Sequence, residues 1–288
     1  MRRLIMKPGK IVIIMLPFLF LGFSISGFPQ VSQQNNFINI FSEEYASILK
    51  SYVDDSGMVN YRELKKNNDR LEFAYNALAK IQEAEYNQWT ESEKIAFLIN
   101  TYNFLTLKVI IDNYPVKPSF FSSLRFPKNS IRQISGVWDE IQFTIMGQKM
   151  TLDHIEHEIL RRQFDEPRIH MVLVCAAMGC PPLRKEPYSA SKLDKQFEDQ
   201  IRRFINDSSK FRIDKQKNHI YLSSIFKWFG DDFIQRYGTN DVLSNHNEQE
   251  RAVLYYFAQY LSPLEYDFLL SESYDISYLD YDWTLNEQ

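Results

Sequence analysis

The longest stretch of patterned hydrophobicity is "TESEKIAFLINTYNFLTLKVIIDNYP", residues 90–115. Thr90 and Glu93 stand in the T-x-x-E spacing of a capping box and Pro115 closes the segment, so a helix is expected between them. At about 100° per residue, Lys94, Thr101, Lys108 and Asp112 share one narrow stripe, expected to face water. Ala96, Ile99, Leu107 and Ile110 hold the opposite side, with Asn103 in their midst and Asn100 at their edge. Burying an unpartnered amide costs about 1–3 kcal/mol, so each asparagine must hold something specific. The backbone of a neighbouring loop and the polar wall of a binding pocket are the two options.

"TLDHIEHEILRRQF" predicts a second helix, N-capped by Thr151, with Leu152, Ile155, Ile159 and Leu160 as its apolar face. Glu156 lies in the middle of that face and His157 at its border. A carboxylate so placed pairs with a cation, coordinates a metal or takes up a proton. Arg161 and Arg168 are the candidate partners. In "RIHMVLVCAAMGCPPL", residues 168–183, apolar side chains occupy both parities up to Val174, which predicts a central strand covered on both faces. His170 and Cys175 then point to opposite faces, roughly 16 Å apart along a continuous strand. A Cys175–His170 pair therefore requires the strand to break. Cys180 lies beyond the turn at Gly179 and is free to fold back.

Farther on, the aromatics of "IFKWFGDDF" (Phe226, Trp228, Phe229, Phe233) are expected to pack in the core, with Asp232 as a turn or cap residue. "RAVLYYFAQYL" reads as an amphipathic helix, and "ISYLDYDWTLN" as a C-terminal strand anchored by Trp283. The expected fold is mixed α+β in a single domain, helix-rich with a small central sheet that includes residues 168–175.

The N-terminus changes the address. Arg2, Arg3, Lys7 and Lys10 precede an apolar run from Ile11 to Phe23 that contains Pro17, the plan of a secretory signal. A membrane-spanning helix needs about 20 apolar residues. Ser24 and Ser26 suit cleavage before Gly27; an uncleaved anchor is the alternative. The expected layout is a signal peptide or anchor at 1–26, a polar linker at 27–36 and the domain at 37–288. Removing the signal takes four of the 33 Lys and Arg and leaves 29 against 37 acids, a net charge near −8. A nucleic-acid partner is not expected without a basic run. An exported protein, periplasmic or extracellular, is expected, touching a membrane only through an uncleaved N-terminal segment.

Two cysteines in an exported chain invite a Cys175–Cys180 disulfide, structural or redox-active; a reactive free thiol and inert buried thiols are the other readings. No metal and no cofactor are expected, because His154 falls on the solvent side of its helix and C-x4-C is not a usual zinc spacing.

The motifs "AFLINTYN", "TLDHIEHEILR", "RIHMVLVCAAMGCPPL", "LSSIFKWFGDDF" and "YDWTLN", in this order over residues 95–286, resemble those of the domain of unknown function 547 family. His154 stands where that family usually has an acid, and Gly179 where it has Ser. The resemblance marks Asn100, Asn103, Glu156, His157, His170, Cys175, Cys180, Asp232 and Asp282 as motif positions and implies no established reaction. In plants the same domain follows a leucine-zipper segment, which implies an interaction module as readily as an enzyme. Three functions are thus open. The first is a binding module for a protein or small molecule, with a pocket built from Asn, Glu and His; Asn100, Asn103 and Asp232 are its binding candidates. The second is a cysteine-dependent hydrolase or acyl-transfer enzyme with Cys180 as nucleophile, His157 or His170 as base and Glu156 or Asn103 orienting that base. The third is thiol–disulfide chemistry.

Overall fold

Asn36 opens α1 (Phe37–Tyr52) by accepting a hydrogen bond from the Asn39 N–H, and Phe41, Tyr45, Ile48 and Leu49 recur at helical spacing on the buried face. That face packs on α3 (Asp69–Lys80), reached through the short α2 (Tyr61–Lys66). The computed structural model describes residues 36–238 and 242–288, and residues 36–288 form one unit. The signal and nearly all of the linker expected from the sequence lie outside the described residues.

After α4 (Glu83–Tyr86) comes α5 (Glu91–Asp112), started by the expected Thr90/Glu93 capping box. Every residue from Ile95 to Ile111 is buried, so α5 is a core helix covered all round. The stripe expected to face water is therefore corrected at two positions. Thr101 is fully enclosed, and Lys108 keeps its charge under cover by pairing with Asp112 at 2.6 Å and Glu72 at 3.2 Å. A charged residue on a helix stripe marks that stripe as wet only if no neighbouring element brings a counter-charge.

Two small sheets complete the mixed α+β fold. β1 (Phe143–Ile145) and β2 (Gln148–Met150) form a hairpin whose turn residues Met146 and Gly147 both have positive φ, 50° and 74°, as a type I′ turn requires. Their N–H groups donate to the Leu78 and Ala79 carbonyls, satisfying the end of α3. β3 (Phe211–Asp214) pairs antiparallel with β4 (His219–Ser223), and β5 (Asp275–Leu279) adds parallel to β4. Helices fill the intervals: α6 (Arg161–Gln163), α7 (Leu193–Ile205), α8 (Ser224–Phe229), α9 (Ile234–Tyr237), the expected amphipathic α10 (Glu248–Ala258) and α11 (Pro263–Leu270).

Residues 168–175 belong to neither sheet, which corrects the expected central strand. Pro167 and the Glu166 side chain, which accepts from the Arg168 N–H, start a 3-10 turn over Pro167–Met171, and an irregular segment follows. The two-faced burial that suggested a strand arises because this segment lies against α5. Asn103 supplies what a ladder neighbour would: its Nδ2 donates to the Val172 carbonyl at 3.0 Å, and its Oδ1 accepts from the Val174 N–H at 2.8 Å. The expected C-terminal strand ends at Leu279, and the remaining chain crosses to pair Leu285 with Ala177 and Glu287 with Val59.

Candidate functional site

Thr151 caps its helix as expected, accepting from the His154 N–H at 3.1 Å, but the turn that follows, His154–Leu160, is π-helical. The Arg161 N–H reaches back five residues to the Glu156 carbonyl. Such wide turns cluster at functional sites because they re-aim side chains that a regular helix would stack. Ile155 and Leu160 enter the core, Glu156 is buried beside them, and His154 stays in solvent.

The Glu156 carboxylate has neither expected partner. Arg168 forks onto Glu166 and reaches Asp194, while Arg161 forks onto Asp232 at 2.6 and 2.7 Å. Glu156 instead shares the lining of one cavity with Tyr102 and Tyr281, and its charge acts on both phenols. Burial first, and the Glu156 charge second, hold both phenols well above the usual tyrosine range, so they stay protonated donors. Asp153, one turn earlier, is pushed up by burial; His157 opposes that shift, and Glu156 and Asp139 add to it.

Asp232 is a turn residue, as one of the two expectations had it, within the 3-10 turn Gly230–Phe233, and it is also the hinge of a charged cluster. His170 Nε2–H donates to its Oδ2 at 2.7 Å, and the imidazole stacks on Phe229 with centroids 4.6 Å apart. Burial alone would raise the Asp232 carboxyl, but the hydrogen bonds from Arg161 and His170 outweigh it and hold the group well below the usual range. Arg161 Nη1 also donates to His157 Nδ1 at 3.0 Å. Since guanidinium only donates, Nδ1 accepts, and a neutral His157 carries its proton on Nε2, 3.7 Å from Asp153.

Cys175 and Cys180 form a disulfide, with Cα atoms 6.2 Å apart, inside the usual range. The loop between them is clamped by the C-terminal segment. The Met178 N–H donates to the Thr284 carbonyl, the Gly179 N–H to that of Asp282, and the Asn286 N–H to that of Ala176, which sits at φ 58° in the left-handed region. A Cβ on Gly179 would lie 2.8 Å from the Tyr281 ring, so only glycine lets that ring lie flat on the loop. The Tyr281 hydroxyl then stands 3.1 Å from Cys180 Sγ and 3.2 Å from Cys175 Sγ.

These parts surround one half-open cavity of about 400 Å³. Glu156, Asp153 and Asp139 supply its acids, His157, His170 and Cys175 face it, and Trp228, Tyr281 and Phe229 form much of its wall. Arg132 stands among the wall residues, its guanidinium 4.3 Å from the Phe126 ring centroid and 5.1 Å from those of Trp138 and Trp283. It has no carboxylate partner among the described residues. Groups of His, Cys, Asp and Glu arranged to hold a metal are absent among the described residues.

Of the residues singled out in the sequence, the fold brings Glu156, His157, His170 and Cys175 to this cavity. The break after Met171 is what lets His170 and Cys175 share it. Cys180 is 3% exposed and borders a separate, smaller cavity of about 210 Å³. Asn100 and Asn103 stand apart from the Glu156 cavity: Asn100 Nδ2 donates to the Tyr188 carbonyl and its Oδ1 accepts from the Tyr188 N–H, both at 2.8 Å, while Asn103 donates to the Val172 carbonyl and accepts from the Val174 N–H. Asp232 acts behind the wall, through Arg161 and His170. The sequence reading missed Tyr102, Arg132, Trp138 and Tyr281, and it placed Trp228, which is 44% exposed, in the core. Only Tyr102, beside Asn103, lay on a face whose periodicity could have flagged it.

Residues 86–205 match the family described as Protein of unknown function, DUF547. The matched stretch holds Glu156, His157, His170 and both cysteines; Trp228, Asp232 and Tyr281 lie beyond it. No curated protein and no solved structure matches the chain.

Proposed function

With residues 86–205 belonging to the DUF547 family, whose description names no activity, we propose that the chain is an exported binding module for a small organic cation carrying an apolar ring. One observation carries this reading. Asp139, Asp153 and Glu156 face a single aromatic-walled cavity, and Asp153 is pushed up by burial and by the other two acids. Three carboxyls crowded into partly buried space repel one another, and a bound cation relieves that repulsion while its ring lies on the half-exposed Trp228 indole. Arg132 already rests on aromatic rings in this way at the rim. Benzylammonium, with benzyl alcohol and benzoate as its neutral and anionic counterparts, tests the reading by calorimetric titration. The cation should bind at least about tenfold more tightly than the alcohol, a difference of about 1.4 kcal/mol. Equal binding of all three, or a preference for benzoate, would overturn it.

A second reading is favoured by the position of Cys175, which shares the cavity with His157 and His170. After reduction its thiol, rather than that of the enclosed Cys180, would be the nucleophile. Iodoacetamide should then alkylate Cys175 in the reduced folded protein at pH 7 faster than a cysteine in an unstructured peptide. A slower rate opposes thiol chemistry.

A further inference from the structure

The three most exposed large apolar side chains, among the described residues, are Phe120, Phe121 and Leu124, at 76%, 80% and 73%, with Leu264 equal to the last. The first three lie within five residues of one another, in "VKPSFFSSLRFPK", where the two phenyl rings meet edge to face 5.4 Å apart. The loop has a defined conformation. Its base is fixed by the buried Gln133, whose Oε1 accepts from the Ser119 N–H at 2.8 Å and whose Nε2 donates to the Pro127 carbonyl at 2.9 Å. A 3-10 turn at Ser122–Leu124 shapes the tip. The apolar side chains are thus held in water by a pinned scaffold.

Charge says what covers them. From Asn113 to Trp138 the chain has no acid, although it carries 37 in all, and it has four cations. Three of these, Lys117, Arg125 and Lys128, flank the tip, are exposed and form no ion pair among the described residues. We propose that this loop docks on an anionic phospholipid bilayer, with Phe120, Phe121 and Leu124 entering the headgroup–acyl boundary and the three cations meeting lipid phosphates. Apolar tips ringed by unpaired cations are the chemistry such an interface selects. Membrane contact then requires neither an uncleaved N-terminal segment nor a spanning helix. At the root of the loop Phe126 meets the Trp283 ring edge on, 6.1 Å away, so docking brings the mouth of the cavity beside the lipid surface.

The test is an environment-sensitive NBD label at Leu124→Cys in the full chain, read under non-reducing conditions so that Cys175 and Cys180 do not label. This reporter follows the loop itself, whatever the N-terminal segment does. Vesicles of phosphatidylglycerol and phosphatidylethanolamine should brighten and blue-shift the label, and Lys117→Gln/Arg125→Gln/Lys128→Gln should weaken that response by about a hundredfold in lipid concentration. Adding Phe120→Ser/Phe121→Ser should weaken it at least about tenfold. Emission unchanged by these vesicles would overturn the proposal. So would a response that needs no lipid and grows with protein concentration, because the loop would then be covered by a second copy.

Discussion

Helix α5 and the π-helical turn after Thr151 both carry polar side chains among apolar neighbours, yet they dispose of them in opposite ways. On α5, Asn100 and Asn103 are consumed by the fold: each amide donates and accepts once, against the backbone of a segment that has no sheet to join. On the π-helical turn, Glu156 has no guanidinium partner among the described residues and faces a cavity that Tyr102 and Tyr281 also line. Burial is nearly the same, 2% and 7% for the asparagines and 8% for the glutamate, so burial cannot separate the roles. What separates them is where the hydrogen bonds go. A buried polar group whose partners are all backbone is a structural device, and one aimed into open space is available to a ligand.

The largest expected effect lies on the α5 side. Asn103→Ala strands the Val172 carbonyl and the Val174 N–H in the core, at about 1–3 kcal/mol each, and should lower stability by about 4 kcal/mol in urea unfolding. A loss below about 1 kcal/mol would erase the contrast with Glu156. Next comes the cluster between the two regions. Asp232→Asn removes the shared partner of Arg161 and His170 and should cost roughly 3 kcal/mol at pH 7. The folded state lowers the Asp232 pKa, so this stabilisation is fully present above the ordinary value of 3.8 and is lost as pH falls through the folded one. The gap between the melting curves of wild type and Asp232→Asn should therefore be full above about pH 4 and narrow steadily as pH falls from there toward pH 2. A gap that persists unchanged at pH 2 would place the effect in packing. Smaller still is reduction of the disulfide, which frees a loop of six residues and should cost about 2 kcal/mol. Loss of the whole fold on reduction would mean that the C-terminal clamp depends on the bond.

Much of the α5 side was legible in the sequence. The capping box, the helix span and the need of Asn103 for specific hydrogen-bond partners all follow from local spacing, and so does the placement of Glu156 on an apolar face; that those partners are backbone groups did not. The segment after Pro167 was misread because two-faced burial has the same signature whether a strand ladder or a pair of asparagine amides supplies the hydrogen bonds. The cavity was not legible as a whole. Its wall joins Arg132 and Trp138 to Trp228, Tyr281 and Trp283, residues from irregular segments or short helix ends on which no periodicity is imposed. Tyr281 joins the wall only because Gly179 leaves room for its ring.

Glu156→Gln gives the most direct test of the contrast, measured for stability in urea and for benzylammonium binding in the same preparation. The account predicts a stability change within about 1 kcal/mol, as for a residue outside any structural network, together with loss of the preference for the cation over benzyl alcohol. A stability loss as large as that of Asn103→Ala, or an undiminished preference for the cation, would contradict it.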